Sequence, residues 1–385
     1  MRLRVRLAAR PYLSSRAMVR RTDERRRAVT CAFTRCSAAG TLGLRWFPFT
    51  RGSVQPIPLV RASTIRPIFD WIDRNGVAEP AELRDARKLV LQPTALIPVA
   101  LAGRLFAAAE RASGTSAFGL LSGAATPLLE IGDWGSVLSR VSSVSGCIHA
   151  IVQSSRRFNT GQRHWVVQRG DEVWLHHRLA SCVVEGRDAA HAYALMLMLQ
   201  MIRLATGPTW RATEIHLESA RPPHAAQIEA LVEKRVAYEQ PYTAIVFPIS
   251  VLHARFPQRL PHRAAERGAL VPAEDFERSA RQLVDALLDL GATDLHAAAE
   301  SVHMSERSLQ RRLTQSGLSF TQLVEQARFD KARRMLRGGT AKIVEISAEL
   351  GYSDSANFTR AFRRWTGVAP QEFRRGASLG ATHFA

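Results

Sequence analysis

The sequence predicts an α+β domain over its first two thirds and an all-α domain over its last third, with two helix-turn-helix units joined by a long helix. Three observations carry this. Between residues 65 and 257, apolar runs of helical period alternate with runs of period two. Beyond residue 273 no strand pattern recurs, and every periodic run is helical. Within that last third, a capped, glycine-stopped helix pair appears twice, about 50 residues apart.

The α+β part reads in order. Ile65, Ile68, Phe69 and Ile72 recur at helical spacing, and Asn75-Gly76 stops that helix. Helices follow at 80–90 and 98–112, then a mostly helical stretch over 134–153. Residues 164–168, the turn 169–171 and residues 172–179 read as a β-hairpin. Alternation puts Val173, Leu175, His177 and Leu179 on one face, with Trp174 and His176 on the other. Residues 188–205 form a long apolar helix, 213–217 a strand, 222–235 a helix and 244–247 another strand. These readings place an ordered domain at 65–257, a proline-marked linker at 258–272 and a helical domain at 273–376.

The chain is 46% hydrophobic, ordinary for a globular protein, but carries a net charge of +19. Residues 1–66 hold 15 Lys+Arg against 2 Asp+Glu, whereas residues 67–273 hold 22 against 18. Residues 301–375 hold 14 against 7, a local basic surface on a folded module. Such a balance points to a polyanion, either nucleic acid or an anionic membrane. The longest apolar stretch, 192–202, contains Gln200 and is too short to span a bilayer. Residues 1–60 are Arg-rich, acid-poor and aperiodic. They read as a disordered extension, with an organellar transit peptide or an internal start at Met18 as alternatives. Cys31, Cys36, Cys147 and Cys182 have no CxxC spacing, which excludes a disulfide scaffold and leaves no zinc site. Reduced, cytosolic thiols are expected.

In the helical part, Asp294 can cap a helix that turns Leu295, Ala298, Ala299 and Val302 inward. After the turn 302–304, Ser305 caps a second helix that ends before Gly317. Leu309 and Leu313 face the core, while Arg307, Gln310 and Arg311 face outward. Guanidinium and amide groups on the first turns of such a helix suit bidentate pairing with base edges in the major groove. The pattern recurs with Ile343, Ile346 and Leu350 inward, a turn at 351–353, and a cap at Asp354 or Ser355. Phe358, Phe362 and Trp365 then point inward, and Asn357, Thr359 and Arg360 outward. Arg312, Arg363 and Arg364 are expected to hold phosphates. Between the units, residues 319–337 form an amphipathic helix that Ser319 can cap. At about 1.5 Å per residue it spans roughly 28 Å, close to the ~34 Å of one DNA turn.

The runs Met304-Ser-Glu-Arg-Ser-Leu-Gln-Arg-Arg-Leu313 and Leu350-Gly-Tyr-Ser-Asp-Ser-Ala-Asn-Phe-Thr-Arg-Ala-Phe-Arg-Arg-Trp-Thr-Gly-Val-Ala-Pro370 resemble the AraC/XylS regulators. Ser319-Phe320 and Glu345-Ile346 match in order between them. The resemblance places base-reading positions at Arg307, Gln310 and Arg311, and at Ser355, Ala356, Asn357, Thr359 and Arg360. Two residues depart from the pattern: His303 where glycine is frequent, and Ser347 where alanine is usual.

Upstream, Leu91-Gln-Pro-Thr-Ala-Leu-Ile-Pro98, Gly207-Pro-Thr-Trp210 with Ile215-His-Leu217, and Ala244-Ile-Val-Phe-Pro248 resemble the arabinose-binding-like effector domain of some members. That resemblance implies an unnamed small-molecule effector, homodimerisation, promoter DNA and RNA polymerase as partners, and a cytoplasmic, nucleoid-associated regulator, an activator or a repressor. Trp165, Trp174, His176 and Tyr193 are the candidate effector-binding residues. No GxSxG, P-loop, HExxH or Rossmann glycine pattern appears, so no catalytic set and no cofactor is expected. The alternatives are an effector-independent DNA binder, and an enzyme that uses the module for targeting.

Overall fold

The computed structural model describes residues 54–92, 95–131, 134–223, 225–232, 236–256, 270–338 and 341–381. Most of the expected linker, residues 1–53 with Cys31 and Cys36, and the alternative start at Met18 lie outside the described residues.

Order begins earlier than Ile65. Strand β1 (Leu59–Arg61) pairs antiparallel with β2 (Leu96–Pro98), in the register Val60 to Ile97. Period two sends the faces of this ribbon to different places. Val60 and Ile97 pack among the helices that follow, whereas Leu59 and Leu96, with Ile57, pack among helices near the other end of the chain. The expected disordered extension is therefore structured from Val54 to Val60, because its apolar run has a core on either side.

Helices α1 (Arg66–Arg74), α2 (Ala81–Val90), α3 (Val99–Ser113) and α4 (Phe118–Ala125) build the first core. Ile68, Phe69 and Ile72 of α1 are buried, as their spacing requires. Helix α4, not marked by the sequence pattern, rests on α7 (Arg187–Thr206), the long apolar helix. It can do so because Gly119 has no side chain: a Cβ there would lie 2.1 Å from the carbonyl oxygen of Ala189. The stretch 134–153 resolves into α5 (Trp134–Leu138) and α6 (Val144–Ser154).

The hairpin forms as β3 (Gln162–Arg169) and β4 (Glu172–Leu179), with Gly170 at φ 58° in its two-residue turn. The sheet runs β3-β4-β7-β5-β6, where β5 is Glu214–His216, β6 Val236–Ala237 and β7 Thr243–Pro248. All of these neighbours are antiparallel except β5 and β6. Helix α8 (Ala225–Val232) lies within the range the sequence predicts, and Pro222 and Pro223 stand outside it. Val173, Leu175, Ile245 and Phe247 face α7 in a core that also takes Leu195, Met198 and Leu199.

The last part is helical throughout among the described residues: α9 (Phe276–Asp289), α10 (Leu295–Ser301), α11 (Glu306–Gln315), α12 (Phe320–Arg337), α13 (Ile343–Glu349), α14 (Ser355–Thr366) and α15 (Pro370–Ala381). Its core gathers Leu283, Leu287, Leu309, Leu313, Ile346 and Phe362.

Candidate nucleic-acid interface and ligand cavity

Helices α10 and α11 form the first unit. The Asp294 carboxylate accepts from the Ala297 amide at 2.8 Å, and the Ser305 hydroxyl from the Ser308 amide at 3.2 Å. These bonds satisfy amides that each helix start leaves open. In the turn between them, His303 takes φ 54°, the left-handed geometry that Gly351 supplies in the second unit at φ 74°. Leu309 and Leu313 anchor α11 inside. Arg307, Gln310 and Arg311 are exposed, and among the described residues their side chains have no hydrogen-bond or ion-pair partner. Three unspent donor groups thus share one outer face.

Arg312 does not join them. It lies half-buried, its guanidinium donating to the carbonyl of Gln55 and resting 4.9 Å from the Phe276 ring centroid. Burial lowers its pKa below the ordinary guanidinium range. The expected phosphate holder instead secures the leading segment against α9 and α11. One helical step, about 100°, separates it from the outward face of Arg311.

In the second unit, α13 and α14, the cap falls on Asp354, whose carboxylate accepts from the Asn357 amide at 2.7 Å. That bond, above all, holds the Asp354 pKa below its ordinary value. Phe358 and Phe362 are fully buried, and Phe362 meets Phe373 at 5.4 Å between ring centroids. Asn357 Nδ2 donates to Asp354 Oδ2 at 2.7 Å, and Arg360 donates to Asn357 Oδ1. The Thr359 hydroxyl turns back to the Ser355 carbonyl at 2.7 Å. Ala356, Arg360 and Arg363 are exposed; Ser355, Asn357 and Thr359 are half-buried. Arg364 is exposed but pairs with Glu325 of α12 at 2.7 Å. As a surface pair it is weakly held, and it can be exchanged for another anion.

Two residues that the sequence reading passed over clamp the connecting helix. Arg328 Nε donates to the Leu350 carbonyl at 3.0 Å, and its Nη2 to Thr293 Oγ1 at 3.2 Å, so it touches both units. Lys331, buried, donates to Asp289 and Glu349, each at 2.8 Å. A lysine at an inward position of an amphipathic helix was the available signal for the second. Ser319, expected to cap α12, makes no side-chain cap bond.

The effector candidates separate. Tyr193 lines a cavity of about 100 Å³ between β1, α3, α7 and the start of β3. Trp165, Trp174 and His176 lie on the opposite face of the sheet. There Trp165 stacks on His176 at 4.8 Å, and Trp174 meets His216 edge-on at 4.8 Å. Arg169 sits 4.3 Å from the Trp174 ring centroid. The alternation along β4 was correct, but only the position of α7 determines which face encloses the cavity.

Beneath the sheet, half-buried His164 and buried His177 and His191 form a row with ring centroids 4.9 and 5.4 Å apart. Burial pushes His164 down to about 4 and His191 to about 3, and drives His177 well below its ordinary value. Among the described residues no group of three or more His, Cys, Asp or Glu is placed to hold a metal ion. Burial raises the Cys147 thiol to about 12, and it raises the Cys182 thiol as well. Neither is an activated thiolate. No helix among the described residues is long and apolar enough to cross a membrane.

Two family models match. The arabinose-binding domain of AraC transcription regulators covers residues 72–256, and a helix-turn-helix domain covers residues 298–376. The chain is 41% identical over 80 residues to the HTH-type transcriptional regulator VqsM of Pseudomonas aeruginosa, which is 21% of this chain and 25% of that protein. It is 41% identical over 81 residues to the ornithine utilization regulator of the same organism, 21% of this chain and 24% of that protein. An uncharacterized HTH-type transcriptional regulator of Mycobacterium tuberculosis is 32% identical over 148 residues, 36% of this chain and 43% of that protein. The chain thus spans about a quarter of the length of the first two relatives. A crystal structure of the transcriptional regulator CdpR from Pseudomonas aeruginosa aligns over 81% of this chain and 98% of that one, with 20% identity and a TM-score of 0.37. By its two matched domains and the regulators it resembles, the chain belongs to the AraC family.

Proposed function

We propose that this protein is a sequence-specific, effector-controlled transcription regulator that reads promoter DNA with both helix-turn-helix units. One observation carries the reading: Arg307, Gln310 and Arg311 share the outer face of a doubly capped unit, unpaired among the described residues. With Asn357 and Arg360 they are the base readers, while Ser355, Ala356 and Thr359 fit against the groove. Arg363 and Arg364 hold phosphates, the latter after leaving Glu325. Each phosphate neutralised should add about −0.9 to the slope of log affinity against log salt.

Control by an effector is supported by the β1 ribbon. Val60 lines the cavity, and its neighbour Leu59 packs in the core of the helical part. A ligand that moves the first therefore strains the second. In the cell we place the protein in the cytoplasm on the nucleoid, acting as a homodimer that contacts RNA polymerase. The test is genome-wide capture of bound DNA, followed by binding to the recovered duplexes. A recurrent motif that binds at least a hundredfold more tightly than shuffled sequence supports the reading. Equal binding to both overturns it.

A further inference from the structure

We infer that the cavity takes a small, uncharged aromatic molecule carrying one hydroxyl or carbonyl group, and that it rejects sugars and amino acids. This rests on the effector-controlled reading above and names the ligand class of that site. Four rings line the cavity, from Phe106, Trp134, Phe158 and Tyr193, and among the described residues no Asp, Glu, Lys, Arg or His does so. Aromatic walls favour a flat ring by edge and offset contacts. A buried charge without a counter-charge is strongly disfavoured, which excludes amino acids and carboxylates.

The polar groups are few and mostly engaged. The Thr64 hydroxyl donates to the Arg61 carbonyl at 2.8 Å, and the Tyr193 hydroxyl lies 3.4 Å from Thr126 Oγ1. Asn159 Oδ1 accepts from the Gly161 amide at 2.8 Å. That leaves the Asn159 NH2 and the whole carboxamide of Gln162, neither hydrogen-bonded among the described residues. Two neighbouring amides can satisfy one hydroxyl or carbonyl. They cannot satisfy the four or so hydroxyls of a pentose, and each one left unpaired weakens binding by about tenfold. Size agrees with a single ring. The cavity of about 100 Å³ is somewhat smaller than the ~150 Å³ apolar cavity that accepts benzene, and it is not sealed.

The experiment uses the full chain and the probes phenol, toluene, benzoate and L-arabinose, read by thermal shift and isothermal titration. Phenol and toluene should bind saturably and raise the melting temperature, while benzoate and L-arabinose should not. Ala194→Leu, which fills the cavity from α7, should abolish phenol binding. Gln162→Leu should weaken phenol about tenfold and leave toluene unchanged, a readout that a merely destabilised variant would not give. Arabinose or benzoate binding more tightly than phenol overturns the inference, as does phenol binding unaffected by both substitutions. Binding of each variant to captured duplex DNA is measured in parallel. Its loss in the parent chain would count against the regulator reading, whereas normal DNA binding without phenol binding counts against the ligand class alone.

Discussion

The backbone amide of Ile57 donates to the hydroxyl of Ser279 at 2.9 Å, joining the leading segment to the first helix of the helical part across 222 residues. Both residues are buried. Around this bond Arg61 Nε donates to the Leu270 carbonyl at 2.7 Å, Arg104 to the Glu300 carbonyl at 2.9 Å, and Arg156 pairs with Glu274 at 2.7 Å. Substituting Ser279→Ala leaves a buried amide without a partner, which costs about 1–3 kcal/mol. Denaturant unfolding should show that loss, and hydrogen exchange should show the Ile57 amide opening faster than in the parent.

Lys331→Met tests the clamp on α12. The substitution removes the bonds to Asp289 and Glu349, but those carboxylate side chains are 30% and 55% exposed and stay hydrated. The expected loss is therefore about 1–2 kcal/mol rather than the larger cost of a stranded buried charge. Equilibrium denaturation of the parent and variant checks this.

The histidine row beneath the sheet makes stability depend on pH. His164 and His191 have folded pKa values of about 4 and about 3, below the unfolded value of 6.5, so the unfolded chain binds more protons between these limits. Their contribution is fully present above pH 6.5 and falls as the solution is acidified toward the folded values. The charged groups facing them are Arg187 and Glu218, which pair at 2.8 Å, and Thr243 Oγ1 lies 3.3 Å from His191 Nδ1. Unfolding free energy should drop steadily from pH 7 to pH 4. His177→Leu should make that slope shallower, because it removes one of the three groups. An unchanged slope would contradict the assignment.

His303→Gly should stabilise the first unit by about 0.5–1 kcal/mol, because glycine adopts φ 54° without the strain an L side chain carries there. Gly351→Ala at φ 74° should do the reverse. Melting temperatures of the two variants, moving in opposite directions, are the check.

Much of this was legible in the sequence. Leu309 and Leu313, Phe358 and Phe362, and the caps at Asp294 and Ser305 follow from helical period and from the chemistry of helix starts. The hairpin followed from alternation around Gly170. Arg312 was misread because period assigns each residue to one face of an isolated helix. Helix α11 is covered on a second side by Phe276 and by the chain near Gln55, a contact that spans 257 residues and leaves no local trace. Strand β1 leaves no signal because three residues directly after Pro56 and Pro58 read as the end of a disordered extension, and the partner of Val60 lies 37 positions away at Ile97. Trp165, Trp174 and His176 were grouped with Tyr193 on chemistry alone, and topology divides them between the two faces of the sheet.

On the proposed reading the outer face of α11 reads bases while its inner edge serves the fold. Arg311→Ala and Arg312→Ala, measured on the captured operator and on random duplex DNA across a salt series, separate the two roles. Arg311→Ala should lose about 1–3 kcal/mol on the operator, narrow the gap to random DNA and keep the parent's melting temperature. Arg312→Ala should lower the melting temperature and leave the operator's advantage over random DNA intact. Operator and random binding by Arg311→Ala equal to the parent's at every salt concentration would contradict the account.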